Sequence, residues 1–184
     1  LDAIVSLGSW KFNGDADGNY QEDEFNEDGQ VIGQTSTPYT YALDGLYVGD
    51  MPQTSYALVG TLTPVKGLRL QAVYNQYDDN YSDWSPDDRE YDSTDPEDIP
   101  DTDQVWKAPG YSKVDLHASY ALPVSGYDVS LFAHVFNATD ATYVQDAVDH
   151  SSYNSYGDKV HAAHNAEVFL GTPRYFNLGL SVNF

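Results

Sequence analysis

The stretch Gly171 to Phe184, GTPRYFNLGLSVNF, alternates between two kinds of side chain up to its last residue. Extended backbone sends successive side chains to opposite faces. Arg174, Phe176, Leu178, Leu180, Val182 and Phe184 therefore share one side, and Tyr175, Asn177, Gly179, Ser181 and Asn183 share the other. One face is oily and one is polar, and an oily face must meet either a protein core or hydrocarbon. The alternation is longer than in most half-buried strands of water-soluble sheets.

The same period recurs upstream. Thr54 to Thr63 puts Tyr56, Leu58, Gly60 and Leu62 in one phase, and Leu68 to Tyr77 puts Leu68, Leu70, Ala72 and Tyr74 there; Pro64-Val65-Lys66-Gly67 joins the two as a hairpin. Tyr111 to Leu122 presents Val114, Leu116, Ala118 and Tyr120. After a turn at Pro123 to Tyr127, Asp128 to Asn137 presents Val129, Leu131, Ala133 and Val135. The apolar phase of these five runs carries no charge, although 20% of the chain is charged. The opposite phase holds Arg69, Gln71, Asn75, Lys113, Asp115, His117, Ser130 and His134. In a membrane barrel the oily phase meets lipid and the polar phase lines a wet lumen, and an Arg or Lys facing mid-bilayer costs roughly 2 to 4 kcal/mol. A soluble sandwich alternates too, but hides its oily face between two sheets.

Between the runs the chain is acidic. Gly14 to Gly29 reads as a loop after a short strand in Leu1 to Asn13, and Gln30 to Val48 alternates again with Tyr39, Tyr41, Leu43 and Tyr47 in one phase. Asp78 to Gly110 and Ala138 to Leu170 are too polar and too long for connections in a compact soluble domain, and suit the extracellular loops of a barrel. The carboxylates of Gly14 to Gly29 do not follow the spacing of a calcium loop and read as a solvated charge run. With 29 acidic and 8 basic residues the formal charge is −21, which disfavours nucleic acid and anionic surfaces as partners. The 16 Tyr among 14% aromatics fit a β composition. There is no cysteine, hence no disulfide or thiolate site, and no apolar run long enough for a membrane helix. LDAIVSLGSW lacks a signal peptide's basic start, and Leu1 is not Met, so the chain is expected to be a piece of something longer.

Several segments resemble the C-terminal third of the β-barrel of TonB-dependent outer-membrane receptors: VGDMPQT (Val48 to Thr54), GLRLQAVYNQYDDNYSDWSP (Gly67 to Pro86), WKAPGYSKVDLHASYAL (Trp106 to Leu122), VSLFAHVFNATDATYVQDA (Val129 to Ala147) and FLGTPRYFNLGLSVNF (Phe169 to Phe184). The resemblance covers most of the chain and is weaker over Leu1 to Leu46. It implies an all-β, antiparallel transmembrane barrel fragment: about seven C-terminal strands of a barrel of about 22. Residues 1 to 184 would be one unit, with the plug domain and N-terminal strands absent. It implies location in the bacterial outer membrane and TonB-energised uptake of a scarce nutrient: a siderophore, cobalamin, haem or oligosaccharide. The implied partners are the TonB complex, acting through the absent N-terminal region, the barrel-assembly machinery, outer-membrane lipid and a small-molecule or oligosaccharide ligand. Phe176, Leu178, Leu180, Val182 and Phe184 would form the assembly signal. With Phe184 in the periplasm, strand parity puts the two long loops outside and Gly14 to Gly29 on the periplasmic side.

Within that reading, Arg69, Lys113, Asp115, His117 and His134 line the lumen, and Tyr81, Trp84, Tyr91, Trp106, Tyr153 and Tyr156 are loop aromatics suited to stacking on sugar rings or planar chelates. Strand-end tyrosines and tryptophans also form the interfacial girdle of any such barrel. His161 and His164, with His150, Asp149, Asp158 and Glu167 nearby, form a weak metal or haem pattern, solvated loop histidines being the default. Asp149-His150-Ser151 is no catalytic triad, because immediate neighbours rarely converge in space. Neither catalysis nor a bound cofactor is expected. The rival readings are a soluble acidic β-sandwich that binds carbohydrate or calcium, and an outer-membrane enzyme or adhesin.

Overall fold

The computed structural model describes residues 1–149 and 160–183, which form an all-β chain of antiparallel sheets. In order the elements are β1 (Asp2–Leu7), β2 (Ala16–Phe25), β3 (Val31–Tyr41), β4 (Pro52–Leu62), β5 (Leu68–Tyr81), the helical turn α1 (Pro86–Arg89), β6 (Glu90–Tyr91), β7 (Lys107–Ala108), β8 (Tyr111–Leu122), β9 (Asp128–Phe136), β10 (Val144–Val148), β11 (Glu167–Leu170) and β12 (Tyr175–Asn183). The main sheet, here the wall, runs β1-β4-β5-β8-β9-β12, with β7 paired to the far end of β5. β2-β3-β6 and β10-β11 are separate small sheets.

The register aligns the predicted apolar phases. Phe176 lies beside Val135, Val135 beside Leu116, Leu116 beside Ala72 and Ala72 beside Gly60. One apolar surface therefore crosses the strands, and β1 extends it by setting Val5 against Tyr56. That surface is uncovered: Leu178 is 80% exposed, Phe176 72% and Leu58 48%. On the opposite face, Asn177, His134, His117, Gln71 and Thr61 stand in one polar row. Also on that face, the ring of Phe132 lies where a Cβ on Gly179 would sit, 2.1 Å from its Cζ. Among the described residues β1 and β12 do not pair with each other, so the sheet is open.

The two ends of the wall differ. β4 passes to β5, and β8 to β9, through tight turns at one end, where Asn183 also lies, opposite Asp128. The long excursions emerge at the other end. Because Leu7 pairs with Thr54, and Thr54 with Asp78, residues 8–51 form an excursion on the same side as Asp78 to Gly110 and Ala138 to Leu170.

This corrects two expectations. Gly14 to Gly29, expected at the opposite end of the wall from the two long segments, lies at the same end as they do, because the run after it is not a wall strand. β3 pairs with β2 and β6 instead, which removes one wall strand and reverses the parity argument. Nor is the stretch a plain loop. β2 has no oily phase and is held by cross-strand hydrogen bonds, such as Gln34 Nε2 to Asp23 at 2.7 Å and Thr40 Oγ1 to Asp17 at 2.9 Å. Short strands and a helical turn likewise occur inside the two long polar segments.

The buried core lies in the excursions. Leu43, Leu46 and Val105 are its centre, with Phe12, Tyr41, Tyr81 and Trp84 packed around them. Backbone bonds from Phe12 N to Leu46 O (2.9 Å), Ser82 N to Trp106 O (2.9 Å) and Asp149 N to Asp83 O (2.8 Å) tie the excursions into a cap.

Candidate functional site: the polar wall and its cap

On the polar face the expected lumen residues divide into groups. Arg69 is exposed near the tight-turn end, opposite Ser119. His117 and His134 are cross-strand partners with Nδ1 atoms 2.8 Å apart, so one imidazole donates to the other. Lys113 Nζ is 3.8 Å from Asp115 Oδ2, and Asp115 Oδ1 accepts the backbone N–H of Asn137 at 2.8 Å. Asp115 thereby fixes the start of the loop after β9. Asn137 holds that loop further, donating to Ala141 O (2.9 Å) and Thr172 O (3.2 Å).

Where the wall meets the cap there is a cleft of about 290 Å³, lined by Tyr77, Asn80, Tyr111, Lys113, Tyr143 and Asp146 among others. Tyr77, Tyr111 and Tyr143 form a ladder with ring centroids 4.9 and 4.1 Å apart. Tyr143 reaches this position because Gly171 carries no side chain: a Cβ there would lie 2.1 Å from the ring, and Gly171 N donates to Tyr143 O at 2.9 Å. Burial pushes the Tyr143 phenol up, aided by the negative charge of Asp115. A hydrogen bond with Asp50, and then burial, raise the carboxyl of Asp146 above its ordinary range. The Nδ2 of Asn80 is buried with no hydrogen-bond partner.

The cap contains a buried ionic chain. Arg89, 1% exposed, reaches Asp101 with Nη1 at 3.3 Å from Oδ1 and 2.9 Å from the backbone oxygen. The imidazole of His161 bridges Asp101 (Nε2, 3.0 Å) and Asp149 (Nδ1, 2.6 Å), and Asp149 accepts the N–H of Trp106 at 3.1 Å. The bond to Asp149 raises the His161 pKa, and that rise outweighs desolvation. For Asp101, burial opposes ionisation, but the Asp103 N–H, Arg89 and His161 together hold it below the usual carboxylate value.

The described loop aromatics make contacts within the cap. Tyr81 stacks on Tyr47 at 4.1 Å, Trp84 packs against the core and Tyr41, and Trp106 is half-buried beside Asp149. Tyr91 donates to Asp15 at 3.2 Å. Tyr81 also lines the cleft between wall and cap, and Tyr91 borders a shallow surface pocket with Tyr20 and Tyr39. His161 is no solvated loop histidine, and both its nitrogens are engaged by carboxylates. His164 is exposed. Tyr153, Tyr156, His150, Asp158 and Phe184 lie outside the described residues. Among the described residues no group of three or more His, Asp or Glu is placed to hold a metal ion.

Sequence reasoning missed Tyr77, Tyr111, Tyr143, Asn80 and Asp146. A usable signal was present for two of them, because Tyr77 and Tyr111 fall in the polar phase at the loop ends of their strands. Comparison of the chain with family models, with curated proteins and with solved structures yields no match.

Proposed function

We propose that this chain is part of the wall of an outer-membrane β-barrel of the TonB-dependent receptor type, taking part in the uptake of a nutrient captured on the cap side. The observation that carries the proposal is the apolar surface shared by six strands and left open to its surroundings, backed by a polar face of His, Lys, Asp, Gln and Asn. Water penalises such a surface by about 25 cal/mol for each Å² of apolar area, and hydrocarbon does not. Hydrocarbon does penalise the unpaired edges of β1 and β12, by several kcal/mol for each unsatisfied backbone group, so further strands must complete the cylinder. The asymmetry of the ends, tight turns against long excursions, matches a barrel with its cap outside the cell. The cap and the cleft beneath it then form the ligand side, and the polar row lines the path.

Cell fractionation tests this. The protein should stay in the outer-membrane fraction through high-salt washing and be released only by detergent, and deletion of its gene should abolish growth on one scarce iron or carbon source. A protein that stays folded and monomeric in buffer without detergent would instead support the soluble carbohydrate- or calcium-binding reading.

A further inference from the structure

We propose that the cleft between Tyr77, Asn80, Tyr111, Tyr143 and Asp146 binds an uncharged sugar as a recognition subsite. The inference takes its place on an uptake path from the transport reading above, but the binding itself stands on the geometry of the cleft. Its volume, about 290 Å³, lies at the lower end of the range for small-molecule pockets and suits a ligand of one or two rings.

The lining chemistry excludes other classes. Four tyrosines, Tyr81 with the three of the ladder, supply ring surface and hydroxyls that both donate and accept, the combination that matches a sugar's apolar faces and its hydroxyl rim. Tyrosine phenols are protonated, and so donors, across the physiological range, and burial pushes that of Tyr143 further up. The N–H of Asn80 is a buried donor without an acceptor, a costly arrangement that a ligand oxygen would relieve. An anion finds little to hold it: Lys113 is already paired with Asp115, Asp50 and Asp146 add carboxylates, and the chain carries −21. A strongly apolar ligand would leave the same hydroxyls and amide unpaired.

The geometry also assigns Gly171 a part. It admits the Tyr143 ring against the backbone, so the subsite depends on a residue that does not line it.

The test is calorimetric titration of the full chain in detergent with maltose, cellobiose, sucrose and lactose, and with ferric citrate as an anionic comparator. At least one disaccharide should bind at millimolar concentration or below, and ferric citrate should not. Tyr143→Phe keeps the ring ladder and should weaken binding a few-fold, Asn80→Ala should do the same, and Tyr143→Ala should weaken it by about tenfold. A thermal unfolding curve matching the parent checks each variant's fold. The proposal is overturned if none of the four sugars binds, if binding ignores both Tyr143→Phe and Asn80→Ala, or if ferric citrate binds more tightly than any of them. Sugar binding by a protein that fractionates as soluble would sink the transport reading and leave the subsite standing; membrane location without sugar binding would do the reverse.

Discussion

The wall and the cap bury opposite things. In the wall, Leu178, Phe176 and Leu58 are exposed while Asp115 is buried on the polar face. In the cap, Leu43, Leu46 and Val105 are hidden in the ordinary way, and the ions Arg89, Asp101, His161 and Asp149 are sealed in with them. On the proposed function the difference means that the two regions face different surroundings: water around the cap, and a nonpolar medium around the outside of the wall. It also separates what stabilises each. The wall rests on ladder hydrogen bonds, and the cap on a small core and a chain of charges whose members depend on one another.

The largest effect should come from breaking the cap alone. Arg89→Met leaves Asp101 buried without its guanidinium, and losing one partner of a buried pair typically costs about 3 to 5 kcal/mol. Hydrogen exchange should show the amides of Trp106 and Asp149 losing protection while that of Leu180 in β12 keeps its own. Equal loss in both regions would mean that wall and cap unfold as one unit.

Next comes the wall. Leu178→Arg should cost roughly 2 to 4 kcal/mol in lipid vesicles, measured by denaturant titration, if the side chain lies near mid-bilayer. A water-facing position would tolerate it at close to zero cost. On the other face, Gly179→Ala pushes a methyl into the Phe132 ring, which can swing aside, so the expected loss is smaller, about 1 kcal/mol.

The smallest effect is a pH dependence confined to the cap. His161 faces Asp149, Asp101 and, through Asp101, Arg89. Its folded pKa is raised above the ordinary 6.5, so its contribution is fully present below that value and is lost as pH rises through the folded pKa. Asp101 is lowered from 3.8, so its contribution is present above that value and is lost as pH falls through the folded pKa. Intrinsic-rate-corrected exchange protection at Trp106 should therefore be greatest between the two ordinary values and decline on either side, and His161→Gln should flatten the alkaline decline.

Much of the wall was legible in the sequence because the period of a strand is local. Tyr56 to Leu62 or Val129 to Val135 shows its phase within a few residues, and the tight turns fix which runs are hairpin partners. β2 was not legible, since Asp17, Glu22 and Glu24 read as a loop until a partner strand supplies their hydrogen bonds. That one misreading moved a whole excursion to the wrong end. The cap was still less legible. Arg89, Asp101, Asp149 and His161 come from distant positions, and no local pattern marks charges that meet only after two excursions have docked. Of the site, Lys113, Asp115, His117 and His134 were placed on the polar face by phase alone, whereas Asn80, Tyr143 and Gly171 required the register of the folded chain.

The central claim is that the apolar face of the wall touches lipid, and the absence of cysteine in the chain makes it directly measurable. Single cysteines placed by Leu178→Cys and Leu116→Cys on the apolar face, and by Asn177→Cys and Gln71→Cys on the polar face, would be probed in membranes with a water-soluble maleimide. After labelling in the unfolded state and refolding into vesicles, fluorophores at the same positions would be probed with a lipid-attached quencher. The account predicts that the first pair resists the maleimide and is quenched from the lipid, while the second pair reacts and is not. Equal maleimide reactivity on both faces, with no quenching at Leu178 or Leu116, would contradict it.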